Sequence, residues 1–251
     1  MKAILKIAVL PALLLALASV AYADSITLNS AGCVSATCAN GALKFLGTSS
    51  LAYNGSGGLV APTSPTSIPA NALGTFTYDV PYDTGGWHPA IPGSSWVSNS
   101  HLGGNGATAD GIPNDFYYYQ TTFSAAGGVD AYSGSISVMA DDTAEVLLNG
   151  TPLPLVNFAF PYPNGPCAQG GGGPTCNSVY TIALNDITLL SGANTLTIID
   201  AQTNGYGEAV DVSTNLATPE PSSLLLLGTG LLGLAFVVFR KAKSSGLVLH
   251  S

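Results

Sequence analysis

The residues between the two ends of this chain predict an all-β sandwich, on three observations. Nine or so segments alternate apolar with polar residues, or concentrate aromatic, β-branched and threonine side chains, as strands do. Turn-forming Gly, Asn, Asp and Pro recur between them at short intervals. No stretch from 24 to 216 carries the three-to-four-residue apolar spacing of an amphipathic helix, and no fixed repeat period points to a solenoid.

In chain order, Lys2 and Lys6 precede an apolar run at 7–20 that closes in Ala21-Tyr22-Ala23. That pattern predicts a secretory signal over 1–23, cut by signal peptidase between Ala23 and Asp24. Residues 24–73 are rich in Ser, Gly, Ala and Thr, with one strand expected near 43–46 and a loop over 49–69. The segment 75–80 (TFTYDV) alternates like a half-buried strand and stops at Pro81. A glycine-rich loop over 82–113 holds Trp87, His88, Trp96 and His101, with a short strand near 95–98.

The pattern then sharpens. Residues 116–123 (FYYYQTTF) predict a strand with Tyr117, Tyr119 and Phe123 on one face and Phe116 and Tyr118 on the other. Residues 133–140 (SGSISVMA) put Ile136 and Val138 on one face, Asp141-Asp142 is expected to turn the chain, and 143–148 (TAEVLL) returns as the second arm of a hairpin. Asn149-Gly150 suits a type I′ turn into 151–156, because both residues tolerate positive φ. Further strands are expected at 179–184, 187–190, 194–201 and 207–212.

Charge is informative once the ends are set aside. Five of the six basic residues lie at the termini, leaving Lys44 alone against thirteen acids over 24–216, a net charge near −12. Such a surface repels nucleic acid and phosphate, so a nucleic-acid partner is excluded, and a polyanionic polysaccharide would need bridging cations. The four cysteines suit an oxidising compartment. Cys33 and Cys38 are near neighbours, as are Cys167 and Cys176, so two local disulfides are the favoured of three connectivities. The second would restrain the flexible loop 168–175 (AQGGGGPT). Metal binding by the cysteines is the alternative.

The last 35 residues carry three parts in order: Pro219-Glu220-Pro221, an apolar run at 224–239, and the basic Arg240, Lys241 and Lys243. As a helix the run would be roughly 24 Å long at about 1.5 Å per residue, against a hydrocarbon core of about 30 Å. A transmembrane helix over 223–239 is expected as a minimal span with basic side chains on the cytoplasmic side. The order resembles the PEP-CTERM sorting signal of Gram-negative bacteria, over 217–243. The resemblance implies export across the inner membrane, a transient anchor, and processing by exosortase, which would leave the protein at the cell surface or outside the cell. Residues 244–251 (SSGLVLHS) run on past where such tails usually stop.

The string SGSISVMADDTAEVLLNGTPL and the later SGANTLTIIDAQTNGYGEAVDV resemble a galactose-binding-like jelly roll. The resemblance extends over about 96–212, within a β-sandwich domain at 24–216 whose best-defined part is 95–213. It implies fold more than ligand.

No nucleophile or zinc motif is present, and His88 and His101 read as loop hydrogen-bonders. Trp87, Trp96, Tyr117 and Tyr119 are the candidate sugar-stacking residues, each with core packing as its competing role. Asp141 and Asp142 are candidates for the structural calcium that many galactose-binding-like domains hold, against a plain role as exposed turn residues. No other cofactor is expected. The chain thus reads as a non-catalytic surface or extracellular protein associated with exopolysaccharide. A structural envelope or matrix protein acting through protein contacts is the alternative, and a hydrolase acting on polysaccharide is third.

Overall fold

A computed structural model describes residues 24–31, 42–51, 74–80, 87–100, 113–125, 131–153, 174–203, 207–218 and 223–244. The unit Ser25–Ala217 is a compact body of two six-stranded sheets. Its strands are β1 (Ser25–Asn29), β2 (Lys44–Ser50), β3 (Thr75–Phe76), β4 (Tyr78–Asp79), β5 (Val97–Ser98), β6 (Asp115–Ala125), β7 (Ala131–Asp141), β8 (Thr143–Leu148), β9 (Thr151–Pro152), β10 (Tyr180–Thr188), β11 (Gly192–Ala201) and β12 (Ala209–Ala217). One sheet runs β10-β7-β12-β5-β4, with β1 also paired to β12; the other runs β3-β2-β6-β11-β8-β9. Every pairing is antiparallel.

The alternation in the sequence sets the core. Tyr117, Tyr119 and Phe123 of β6, Val146 of β8, and Leu196 and Ile198 of β11 meet Ile136, Val138 and Ala140 of β7 and Val210 and Val212 of β12 between the sheets. The opposite faces are covered too. Phe116, Tyr118, Leu147 and Ile199 form an outer cluster on one sheet, and Met139 and Ala209 pack with Trp96, Ile91 and Val80 on the other. The two tyrosine faces read from the sequence are therefore those observed.

Several expectations need correction. Residues 133–140 and 143–148 do not form a hairpin: β7 and β8 belong to different sheets, and the chain passes from one to the other at Asp142. Both arms bury one face in a shared core, a pattern that alternation alone cannot distinguish from a hairpin. The strand expected over 75–80 is split, β3 in one sheet and β4 in the other, with Thr77 buried at the crossing and its hydroxyl donating to Leu43 O at 2.9 Å. The two strands expected at 179–190 are one strand, β10, with a bulge between Leu184 and Ile187 where Asp186 takes φ 51°. The short strand β1 was not expected. Asn149 and Gly150 have φ of 52° and 75°, as a type I′ turn between β8 and β9 requires.

The helix α1 (Ser223–Ser244) is described by itself. Among the described residues no helix is long and apolar enough to cross a membrane, which corrects the transmembrane helix expected over 223–239. The apolar run is 16 residues, broken by Gly228, Thr229, Gly230 and Gly233 and followed directly by Arg240 and Lys241. The signal segment 1–23, Pro219, Glu220, Pro221 and residues 245–251 lie outside the described residues.

Gly134 of β7 gives a direct test of the register. Its φ is 151°, and an added Cβ would run into the backbone carbonyl of Asn215 on β12, a strand paired along both edges. Gly134→Ala is expected to cost about 2 kcal/mol or more, read as a lower urea midpoint at unchanged m-value.

Candidate functional site

The sheet-to-sheet crossing at Asp141-Asp142 gathers the chemistry. Asp141 lies opposite Ala209 in the β7–β12 ladder, which brings it beside Glu208, and Asp142 N donates to Ala201 O at 3.3 Å, which brings the crossing to the end of β11 beside Asp200. Asp200 shares the core-facing parity of Leu196 and Ile198, and Glu208 that of Val210 and Val212. Two acids thus cap the apolar core, and two more form the link above it.

Each carboxyl is held differently. Asp141 Oδ2 accepts Trp87 Nε1–H at 2.8 Å, and its Oδ1 accepts no hydrogen bond. Asp142 Oδ2 accepts from Thr203 N at 2.8 Å and Thr203 Oγ1 at 2.5 Å. Glu208 accepts the Tyr119 hydroxyl and, at 2.9 Å, that of Ser98. Asp200 is fully buried and neither of its carboxylate oxygens has a hydrogen-bond partner. Asp211 is the contrast: Ser94 Oγ at 2.5 Å, Ser30 Oγ at 3.0 Å and Ile91 N at 2.8 Å all donate to it, tying β12 to the segment after β1 and to the tryptophan loop.

Burial dominates the electrostatics. It pushes the Asp141 carboxyl up to about 8, with the adjacent Asp142 charge adding to the rise. It pushes Glu208 up to about 7, against the lowering effect of its bonds from Tyr119, Ser98 and Asn99. Asp200 is held well above the ordinary carboxylate range by burial and then by Glu208, Asp141 and Asp142. Burial likewise raises the phenol of Tyr119, and Glu208 beside it raises it further.

The aromatic candidates are mostly structural. Trp96, Tyr117 and Tyr119 are buried, so none offers a free ring face to a sugar; Trp96 Nε1 donates to His88 O at 2.9 Å, and Tyr117 OH donates to Pro113 O at 3.0 Å. Trp87 is half-buried, stacked at 4.8 Å on Trp96, and Gly207 leaves the room for its bond to Asp141: a Cβ there would stand 2.7 Å from Asp141 Oδ2. His88 Nδ1 bonds Pro89 O at 2.8 Å, the loop role expected of it. Asp141 and Asp142 are buried rather than exposed turn residues. Cys176 is buried and is not a free thiol, while Cys33, Cys38, Cys167 and His101 lie outside the described residues.

Sequence inspection missed Asp200, Glu208 and Asp211. A signal was present for the first two: in LTIID and EAVDV an acid occupies the alternating position that otherwise holds core aliphatics. Arg240 and Lys241 are on α1, where the Arg240 guanidinium lies 5.6 Å from the Phe236 ring centroid.

Residues 217–241 match the PEP-CTERM protein-sorting motif. No curated protein matches the chain. Among solved structures it is similar to a family 35 carbohydrate binding module from an environmental isolate, at 11% identity and TM-score 0.29 over 71% of this chain and 93% of that one. It is also similar to a Podospora anserina GH26-CBM35 β-(1,4)-mannanase, at 20% identity and TM-score 0.25 over 46% of this chain and 24% of that one. An exo-β-1,3-galactanase from Phanerochaete chrysosporium matches at 19% identity and TM-score 0.23, over 41% and 22%. The chain therefore spans about a quarter of the two enzymes, and likeness at these scores carries no weight for ligand or activity.

Two outcomes are expected. The resolved carboxyl shifts are all upward, so the folded protein holds more protons than the unfolded chain above the ordinary carboxylate values near 4, up to about 7 for Glu208 and about 8 for Asp141. With chelator present, stability is thus greatest in mild acid and falls as pH rises through about 7 to 8; a thermal midpoint that climbs from about pH 5 to about pH 8 would contradict this. Under the same conditions Asp211→Ala, which strands three donors, is expected to cost about 2 kcal/mol or more in chemical denaturation, while Asp200→Asn at about pH 8 is neutral or stabilising.

Proposed function

We propose that this chain is an exported, non-catalytic surface or extracellular protein that is sorted through its C-terminal motif and then associates with exopolysaccharide. The sorting match at 217–241 carries the reading, since it implies export and processing of the tail at the membrane by exosortase. The end of the folded unit at Ala217 agrees with it: β12 is paired with β1 up to the Ser25–Ala217 pair, so removal of both terminal addresses would leave the sandwich intact. Processing would discard five of the six basic residues and release a strongly acidic domain. A Cys167–Cys176 bridge would restrain the glycine loop in the oxidising exterior.

The acids with displaced pKa, Asp200 and Glu208 above all, are fully buried within the sandwich, which supports binding over catalysis. The same burial of Trp96, Tyr117 and Tyr119 favours a second reading, an envelope or matrix protein acting through protein contacts. In both, the partners during export are signal peptidase and exosortase.

Intact mass of the protein recovered from its native host tests the proposal. Surface or released material is expected to begin at Asp24 and end near Pro219-Glu220-Pro221, and to be retained by the host's own polysaccharide. A mass that keeps residues 240–251 would remove the sorting reading. Processing without retention on polysaccharide would leave the protein-contact reading.

A further inference from the structure

We propose that the outward face of β1, β12, β7 and β10 is a docking ledge for a neutral polysaccharide chain; this rests on the exopolysaccharide reading above and names the surface and the class of polymer. The alternation that buries Ile136, Val138, Ile182 and Val212 turns the intervening residues outward. The registers align them in rows across the four strands: Asn29, Ser213, Ser137 and Thr181 in one, Thr27, Asn215, Ser135 and Ala183 in the next. All eight are exposed or half-buried; seven carry a hydroxyl or an amide, and none a charge. Toward the sheet-to-sheet crossing the outward residues of the same strands are instead apolar, Met139 and Ala209, and are covered by Trp96 and Ile91. The face thus changes chemistry where its cover stops. The cover borders the first row, since a Cβ on Gly93 would lie 3.4 Å from Asn29 Nδ2, and Ser95 N fixes it there by donating to Ser30 O at 2.8 Å.

The rows are ordered for polar contact. Ser213 Oγ donates to Asn29 Oδ1 at 2.8 Å, and the hydroxyls of Ser137 and Thr181 share a bond of 3.1 Å. Each such bond orients a side chain yet uses only part of a hydroxyl's one donor and two acceptor sites, so capacity is left for the hydroxyls of a sugar chain. Charge selects the class of polymer. The exposed Asp186 stands beside the rows, its N–H donating to Ser133 Oγ at 3.0 Å, while Lys44, the single Lys or Arg from 24 to 218, is on the other sheet. A polyanion meets repulsion here and no base, whereas a neutral chain meets neither obstacle. Size selects against a protein. Four strands about 4.8 Å apart and roughly five residues of about 3.4 Å give a face on the order of 300 Å², well below the roughly 800 Å² per partner of a stable protein interface. The rows hold no aromatic ring, so each ledge binds weakly, and retention grows where many copies meet one polymer.

The test separates the producing host's exopolysaccharide into neutral and acidic pools by anion exchange, immobilises each, and measures retention of the full chain in detergent. Retention on the neutral pool is expected. Ser137→Asp and Ser213→Asp, confirmed as folded by their thermal midpoints, are each expected to weaken it about tenfold or more, because each sets a charge against the polymer. Thr48→Asp, at an exposed position of β2 on the other sheet, is expected to leave it unchanged. Amide NMR shifts of the parent protein with oligosaccharides cut from the neutral pool give a readout that depends on no variant, with changes expected to centre on the two rows. Retention that both row variants preserve, retention on the acidic pool alone, or shift changes away from the rows overturns the ledge and leaves the exopolysaccharide reading standing; retention on neither pool removes both.

Discussion

The constraint on which the rest of this domain depends is the neutralisation of buried acid in a chain almost without base. Thirteen acids and one lysine occupy the exported part, and four of the acids sit together where one sheet hands the chain to the other. Coulomb repulsion among such groups is strong in a medium of low effective dielectric, and ion pairing is not available to relieve it. The protein uses two devices instead. Hydroxyl and amide donors surround Asp142, Asp211 and Glu208, and burial raises the pKa of Asp141 and Asp200 so that the neutral form is favoured.

Donor-rich acids and donor-poor ones do different work. Asp211 joins three separated stretches of chain, the turn after β1, the loop around Ile91 and Ser94, and β12, and so closes one outer face of the sandwich over Met139 and Trp96. Asp142 ties the crossing to Thr203. These are structural bonds of the sort that raise specificity of fold at little net energy. Asp200 makes no such tie: it is fully buried at the end of the core, and burial together with Glu208, Asp141 and Asp142 holds its carboxyl well above the ordinary range.

Much of the fold was legible from alternation. The strands read at 116–123, 133–140 and 143–148 are present with the expected residues in the core, and Asn149-Gly150 declared its turn through the two residues that tolerate positive φ. What alternation does not carry is sheet membership. Thr77 and Asp142 look like the middle of a strand and the tip of a hairpin, yet each is a crossing between sheets, because a residue with its side chain buried at a sheet edge looks the same in sequence in either case. The site was less legible than the fold. Trp87, Asp141 and Asp142 were singled out, but Asp200 and Glu208 come together only through the β11 and β12 registers, which no local pattern encodes.

The sorting motif was legible for a different reason, since it is read as a linear string and needs no fold. Its match begins at Ala217, the last residue of β12, so motif and sandwich occupy successive stretches of the chain. The buried acids at the crossing are the part of this domain most open to direct measurement. Carboxyl carbon NMR followed through a pH titration tests their protonation: midpoints near 8 for Asp141 and near 7 for Glu208 are the expected result, and midpoints near 4 for both would contradict it.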